Sequence, residues 1–522
     1  MSDLPWLTTL ILVPLVGAAV AAFLPRVPGG DLAKKVGIGF AGLTAVLAVV
    51  TATQYSPGAE LQLTEEADWI EPLGVHYALG LDGLGLLMVL LTAVLVPIVL
   101  LASWRETDQP SETGAMPQGS ANAFVAWTLA LEALSIAVFT ATDVFLFYVV
   151  FEATLIPAYF LIGGFGRAGR SRAAVKFLIY QLGGGLIMLA SVIGLYVVSA
   201  REGTPTYLLT ELAALDIDGT TGRWLFVGFF IAFAIKAPMF PVHTWLADTT
   251  EKATPGTSVL LVCVLDKIGT FGMLRFCLGL FPEASQWATP AVVILALISI
   301  VYGALVAIGQ DDVLRLIGLT SLSHFGFIVL GIFVLSSNGG SGSILYMVNH
   351  GIGTAALFLI AGYLIRRTGT PLISEMGGLE KVTPVLAGTM LVAGLAAAGL
   401  PGLAPFVSEM LVIISAFDHA WWAGAVAVSG IVLAAIYILW MYQRTMTGPA
   451  PRPLVEGMAD LNHREVGAVA PLLVALLFFG FYPMPLLDVI NPYVDDTLSE
   501  VGVGDEAPAV PTGATVSEGG PE

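Results

Sequence analysis

Long apolar stretches follow one another along the chain, separated by short polar interruptions. A bilayer core of about 30 Å takes roughly 20 apolar residues of helix. That yardstick places fourteen segments at about 4–25, 33–53, 84–103, 122–141, 142–163, 174–200, 223–246, 254–281, 289–309, 316–337, 341–365, 384–417, 420–445 and 466–490. None shows the sustained alternation of a lipid-facing β-strand. The predicted fold is an all-α integral membrane bundle of about fourteen transmembrane helices.

Composition agrees with that pattern. Of 522 residues, 57% are hydrophobic and 11% charged, against about 25% charged in soluble domains. A soluble enzyme, a nucleic-acid binder and a disordered scaffold are thereby excluded. The net charge of −18 argues further against anionic partners such as nucleic acid. Cys263 and Cys277 fall in one segment without Cys-x-x-Cys spacing, so neither an iron–sulfur cluster nor structural zinc is expected in this chain.

Charge also orients the bundle. With the N-terminus outside, sixteen of the 21 Lys and Arg gather in inner connections, from Arg26 through Arg105, Arg167 and Arg315 to Arg452 and Arg464. Outer connections are acidic, with Glu60, Glu65, Glu66, Asp68 and Glu71 in one and Glu202, Glu211, Asp216 and Asp218 in another. An even helix number places the C-terminus outside as well. Only Met1, Ser2 and Asp3 precede the first segment, so it lacks the basic start of a signal peptide and is expected to remain as a helix. The stretch 105–121 reads as a flexible inner loop, and residues from about 491 to 522 as a disordered exterior tail.

Seven ionisable residues lie near the middle of seven segments: Glu132, Glu152, Lys236, Lys267, His324, His350 and Glu409. A charge at that depth costs about 2.5–3.5 kcal/mol on insertion scales and is a functional candidate by default. One Glu–Lys pair would serve to pin two helices together. A row at one depth points instead to a proton path. The seventh segment carries Pro238 and Pro241 just after Lys236, and the twelfth carries Pro401, Gly402 and Pro405 just before Glu409. Proline removes a backbone donor and clashes with the preceding turn, so both helices should break there. Transporters place ion sites at such breaks. His243, seven residues after Lys236, either extends an inlet from the inner side or caps the broken segment.

The stretches VFLFYVVFEATLIPAYFLIGGFG, FAIKAPMFPVHTWLADTTEKATPGTSVLL, SLSHFGF, NHGIGTAALFLIAG and GLPGLAPFVSEM resemble the antiporter-like membrane subunits of respiratory complex I, the proton-pumping NADH:quinone oxidoreductase. The likeness spans segments four to thirteen. Glu409 sets the chain apart from sister subunits L and N and from multisubunit cation/proton antiporters, which usually carry lysine there. The resemblance implies two inverted five-helix repeats, segments 4–8 and 9–13, with segments 7 and 12 broken. Residues 1–121 would then be an N-terminal unit, 122–281 and 289–445 the repeats, and 446–490 a C-terminal helix.

By the same resemblance, Glu152 pairs with Lys236. Lys267, His324 and His350 pass protons laterally to Glu409 near the exit, and Glu132 is a further family carboxylate. The implied activity is proton translocation from cytoplasm to exterior across the bacterial plasma membrane. Flavin, iron–sulfur clusters and quinone would lie in partner subunits, with no cofactor in this chain. The partners implied are the other membrane-arm subunits, L and N among them, and the lipid bilayer. A cation/proton antiporter subunit is the alternative; sodium transport without NADH oxidation would select it.

Overall fold

The computed structural model describes residues 4–25, 30–106, 120–203, 205–215, 217–449 and 457–504. Twelve helices of the described residues are long and apolar enough to cross a membrane. In chain order with their neighbours these are α1 (Trp6–Phe23), α2 (Asp31–Gln54), α3 (Gly83–Arg105), α4 (Ala121–Thr140), α5 (Val144–Gly164) and α6 (Arg170–Glu202). After the half-helices α7 (Gly219–Lys236) and α8 (Thr244–Lys252) come α9 (Pro255–Leu278), α10 (Pro282–Ile308), α11 (Val313–Phe333) and α12 (Ser337–Thr368). The half-helices α13 (Pro384–Ala397) and α14 (Ala404–His419) precede α15 (Trp421–Met446) and α16 (His463–Phe481). The chain then forms α17 (Met484–Val501).

The seventh and twelfth predicted segments are each delivered as two pieces, none of which is among the twelve. Both breaks are stabilised by side chains that bond backbone groups at the interruption. At the first, Trp245 Nε1 donates to the Ile235 carbonyl at 3.0 Å, and the Phe240 amide donates to Ser299 Oγ at 3.0 Å. At the second, Asn349 Nδ2 donates to the Ala404 carbonyl at 2.8 Å and to Ser408 Oγ at 3.3 Å. Without such partners, polar backbone in a lipid-depth interior would cost several kcal/mol per group.

Burial is uneven across the bundle. The spanning stretches of α9, α11 and α12 are wholly buried, whereas only about a third or less of those of α1, α2 and α16 is buried. Lys267, His324 and His350 are therefore carried by central helices. At the end rich in basic residues, an ion-pair network ties α8 to its surroundings: Arg315 reaches Asp248 and Glu251 at 2.7 Å each, and Lys176 reaches Asp248 at 2.6 Å. Arg167 of the loop after α5 pairs with Asp312 at 2.8 Å.

Three features differ from the expectation. Part of the acidic outer connection is an antiparallel hairpin, β1 (Gln62–Ile70) and β2 (Val75–Leu81). Its Glu65 accepts from the Leu7 and Thr8 amides at 2.7 and 3.1 Å, placing a carboxylate at the positive end of α1. The last predicted span, 466–490, is interrupted at Tyr482–Pro483, where α16 ends and α17 begins.

Residues 491–501, expected within a disordered tail, are instead helical. There α17 buries Ile490, Tyr493, Val494, Leu498 and Val501, and Gln286 Nε2 donates to the Val501 carbonyl at 2.6 Å. An apolar stripe at helical spacing, diluted by acids, accounts for the misreading. Arg26, Asp216, Arg452, the loop 107–119 and residues 505–522 lie outside the described residues.

Candidate functional site: a run of buried acids, bases and tyrosines

Lys236 is the last residue of α7 and is fully buried. The break that proline imposes leaves the negative end of the α7 dipole beside its ammonium, a favourable placement for a cation. Nζ donates to Thr154 Oγ1 at 3.2 Å and stands 4.3 Å from the Phe151 ring centroid. The implied Glu152–Lys236 pair takes a different form. Among the described residues no ion pair joins them; Thr154, two residues along α5, holds the ammonium, while Glu152 acts on it electrostatically. Glu152 Oε1 has no hydrogen-bond partner among the described residues, and its carboxyl fills the space opposite Gly185 of α6. A side chain at Gly185 would collide with it.

From Lys267 the buried polar groups crowd together, hydrogen-bonded in pairs with ring contacts between the pairs. Lys267 Nζ lies 2.7 Å from His350 Nδ1 and 4.2 Å from the Phe325 ring centroid. The His350 and His324 rings stand 5.2 Å apart, edge to face. His324 Nε2 is 3.2 Å from the Tyr437 hydroxyl, and its ring is 5.9 Å from that of Tyr346. The Tyr346 hydroxyl in turn donates to Glu409 Oε1. A cavity of about 10 Å³ lined by His324, Tyr346, His350 and Pro405 adjoins this run, which is the volume of one water-sized probe. Glu409 sits against Gly399, whose φ of +68° is accessible to glycine at little cost. Glu152 and Glu409 thus each rest over a glycine.

His243 occupies the N-cap position of α8, yet its side chain makes no capping bond there. It is buried between Phe240 and Tyr302, at ring distances of 5.9 and 5.2 Å. Glu132 is buried in α4 with neither oxygen partnered among the described residues, and it stands apart from the Lys267–Glu409 run.

Four further groups belong to the site although the sequence reading passed over them: Asp266, Tyr346, Tyr437 and Asn349. Asp266 carried a signal, being an acid inside an apolar run beside Lys267. The two tyrosines and the asparagine carried none, because such residues in membrane helices are usually packing or helix-pinning groups. The region around Lys267 is also marked by wider helical turns at Leu260–Leu265 and Met273–Leu278, and such turns recur at functional sites.

A family described as NADH:quinone oxidoreductase/Mrp antiporter, TM matches residues 141–434, more than half of the chain. The chain belongs to that family. The antiporter-family match contains Glu152, Lys236, His243, Lys267, His324, Tyr346, His350 and Glu409, and leaves out Glu132 and Tyr437. NADH-quinone oxidoreductase subunit M of Mycobacterium tuberculosis is 50% identical, over 98% of this chain and 97% of the relative. Subunit M of Rhodobacter capsulatus is 35% identical over 94% and 95%. Among solved structures, a chain of respiratory complex I from Thermus thermophilus with bound NADH aligns at a TM-score of 0.85 and 33% identity, covering 95% of this chain and 100% of that one. A chain of the Mrp complex from Dietzia sp. DQ12-45-1b shares the fold, with a TM-score of 0.81 and 22% identity over 95% and 99%.

Proposed function

We propose that this chain is the proton-translocating subunit M of a bacterial NADH:quinone oxidoreductase. It works in the plasma membrane beside the antiporter-like subunits L and N, with both termini outside. The observation that carries the reading is the buried run from Lys267 through His350, His324, Tyr437 and Tyr346 to Glu409. Protons enter from the cytoplasm near His243 and Lys236, move laterally along this run and leave at Glu409. The carriers are this chain's own side chains; electron transfer through flavin, iron–sulfur clusters and quinone belongs to partner subunits and supplies the driving change.

Energetics set the scale of that change. Moving one charge against a potential of about 150 mV takes roughly 3.5 kcal/mol. At about 1.4 kcal/mol per pKa unit, a carrier must swing by about 2.5 units between loading and release. Buried groups reach such swings through desolvation and nearby charges, whereas exposed pairs fall well short. A helix interrupted beside a buried lysine is suited to changing that environment.

The test is proton uptake in vesicles reconstituted with the whole complex. Lys236→Ala and Glu152→Ala should each abolish pumping while the complex still assembles. Normal proton transfer in either variant overturns the assignment. Sodium transport that depends on this chain without NADH oxidation would select the antiporter reading.

A further inference from the structure

The run described above begins at Lys267, and Lys236 lies on a separate helix with no hydrogen bond to it. Asp266 occupies the ground between them. It is fully buried, and neither carboxyl oxygen has a hydrogen-bond partner among the described residues. The groups that act on it electrostatically are Lys267 and Lys236, the two lysines of the proposed path.

Backbone packing explains how it reaches both. Gly269 of α9 lies directly on Ala237, the residue after Lys236: a Cβ there would collide with the Ala237 backbone amide and side chain. Asp266 precedes Gly269 by three residues and shares its helix face. The α7 break and the Asp266 carboxyl are therefore brought together by the same close approach. Lys267, one position on, turns about 100° round the helix and meets His350.

A second row of unpartnered polar groups lies on α4, which neighbours α9. Thr128, Glu132 and Ser135 fall at helical spacing on α4, and Phe139, continuing that face, packs edge-on against Phe271 of α9 at 5.2 Å. The oxygens of Thr128, Glu132 and Ser135 are also without partners among the described residues. A structural buried carboxyl is held by donors, as is the rule for buried polar groups. A carboxyl held by none and flanked by two amines is suited to taking and giving a proton.

We propose that Asp266 is the proton carrier between Lys236 and Lys267. This deepens the proton-path reading and rests on it. An N–H bond of the Lys236 ammonium breaks as an O–H bond forms on the Asp266 carboxylate. That O–H bond then breaks as an N–H bond forms on neutral Lys267. Charge moves one step along the path and no electron donor or acceptor is needed.

The experiment compares Asp266→Asn, Asp266→Glu and Lys236→Ala in the assembled complex, reading proton uptake at matched NADH oxidation. The asparagine variant keeps size and polarity but cannot carry a proton. It should lose as much uptake as Lys236→Ala, and the glutamate variant should recover most of it. Wild-type uptake in Asp266→Asn with loss in Lys236→Ala overturns the proposal and leaves the proton-path reading standing. Wild-type uptake in both removes that reading and this one together. Should the asparagine variant fail to assemble, Asp266→Glu is examined by infrared difference spectroscopy during turnover. A shifted carboxyl carbonyl band supports the carrier, and a spectrum identical to wild type overturns it.

Discussion

Lys267 and His350 meet nitrogen to nitrogen at 2.7 Å across the interface of α9 and α12, in the most deeply buried part of the bundle. A hydrogen bond between an amine and an imidazole needs one proton and leaves room for another to come and go. His350→Leu deprives the buried amine of that partner. An unsatisfied buried polar group costs about 1–3 kcal/mol, so the variant should melt lower yet assemble. Its proton uptake at matched NADH oxidation should be lost, and retained uptake would remove His350 from the path.

Gly399 and Gly185 lie against the carboxyl groups of Glu409 and Glu152. Gly399→Ala adds a methyl group where Glu409 sits and forces alanine into a φ of +68°. Strain of this kind costs roughly 1–3 kcal/mol. Gly185→Ala has no such backbone penalty. It should therefore leave stability closer to wild type while displacing Glu152 and slowing pumping. Thermal melting and proton uptake, measured side by side, separate the two effects.

Arg275 and Asp82 form a buried ion pair at 2.6 Å, and the Arg275 guanidinium also lies 5.0 Å from the Phe271 ring centroid. Removing one partner of such a pair typically costs about 3–5 kcal/mol. Arg275→Met should thus destabilise the complex strongly. Adding Asp82→Asn should recover part of the loss, since asparagine can still cap α3 at the Gly85 amide, now bonded to Asp82 at 2.7 Å. Equal melting of the single and double variants would show that the pair is energetically idle.

Asp311, in the connection before α11, is held below the usual carboxylate range by the Ser374 hydroxyl first, and also by Arg444. A depressed carboxylate contributes stability above its ordinary pKa of about 3.9 and loses it as pH falls through the lower folded value. The group is largely exposed, so the contribution is a fraction of about 1 kcal/mol. Melting curves between neutral and strongly acidic pH should show a small acid-linked drop that Asp311→Asn removes.

The bundle and both interruptions were legible because membrane thickness and proline chemistry act locally: the paired prolines Pro238/Pro241 and Pro401/Pro405 mark breaks, whereas the lone Pro14 and Pro97 stay inside unbroken helices. Buried charges were legible for the same reason, since Lys236 or Glu409 in an apolar run has no ordinary explanation. Partner identity was not. Thr154 rather than Glu152 holds Lys236 because of side-chain reach across α5 and α7, which spacing along one chain does not encode. Tyr346 and Tyr437 became visible only when α12 and α15 were brought beside His324 and Glu409. The continuation of the last helix over 491–501 was hidden by acids that dilute its apolar stripe.

Whether protons travel through the interior run is tested most directly by Lys267→Ala, because it cuts the path between Lys236 and His350. Proton uptake should be counted per NADH oxidised in vesicles carrying the fully assembled variant complex. The expected result is a loss of uptake with the NADH-oxidising partner subunits still active. An unchanged ratio of protons to NADH would contradict it.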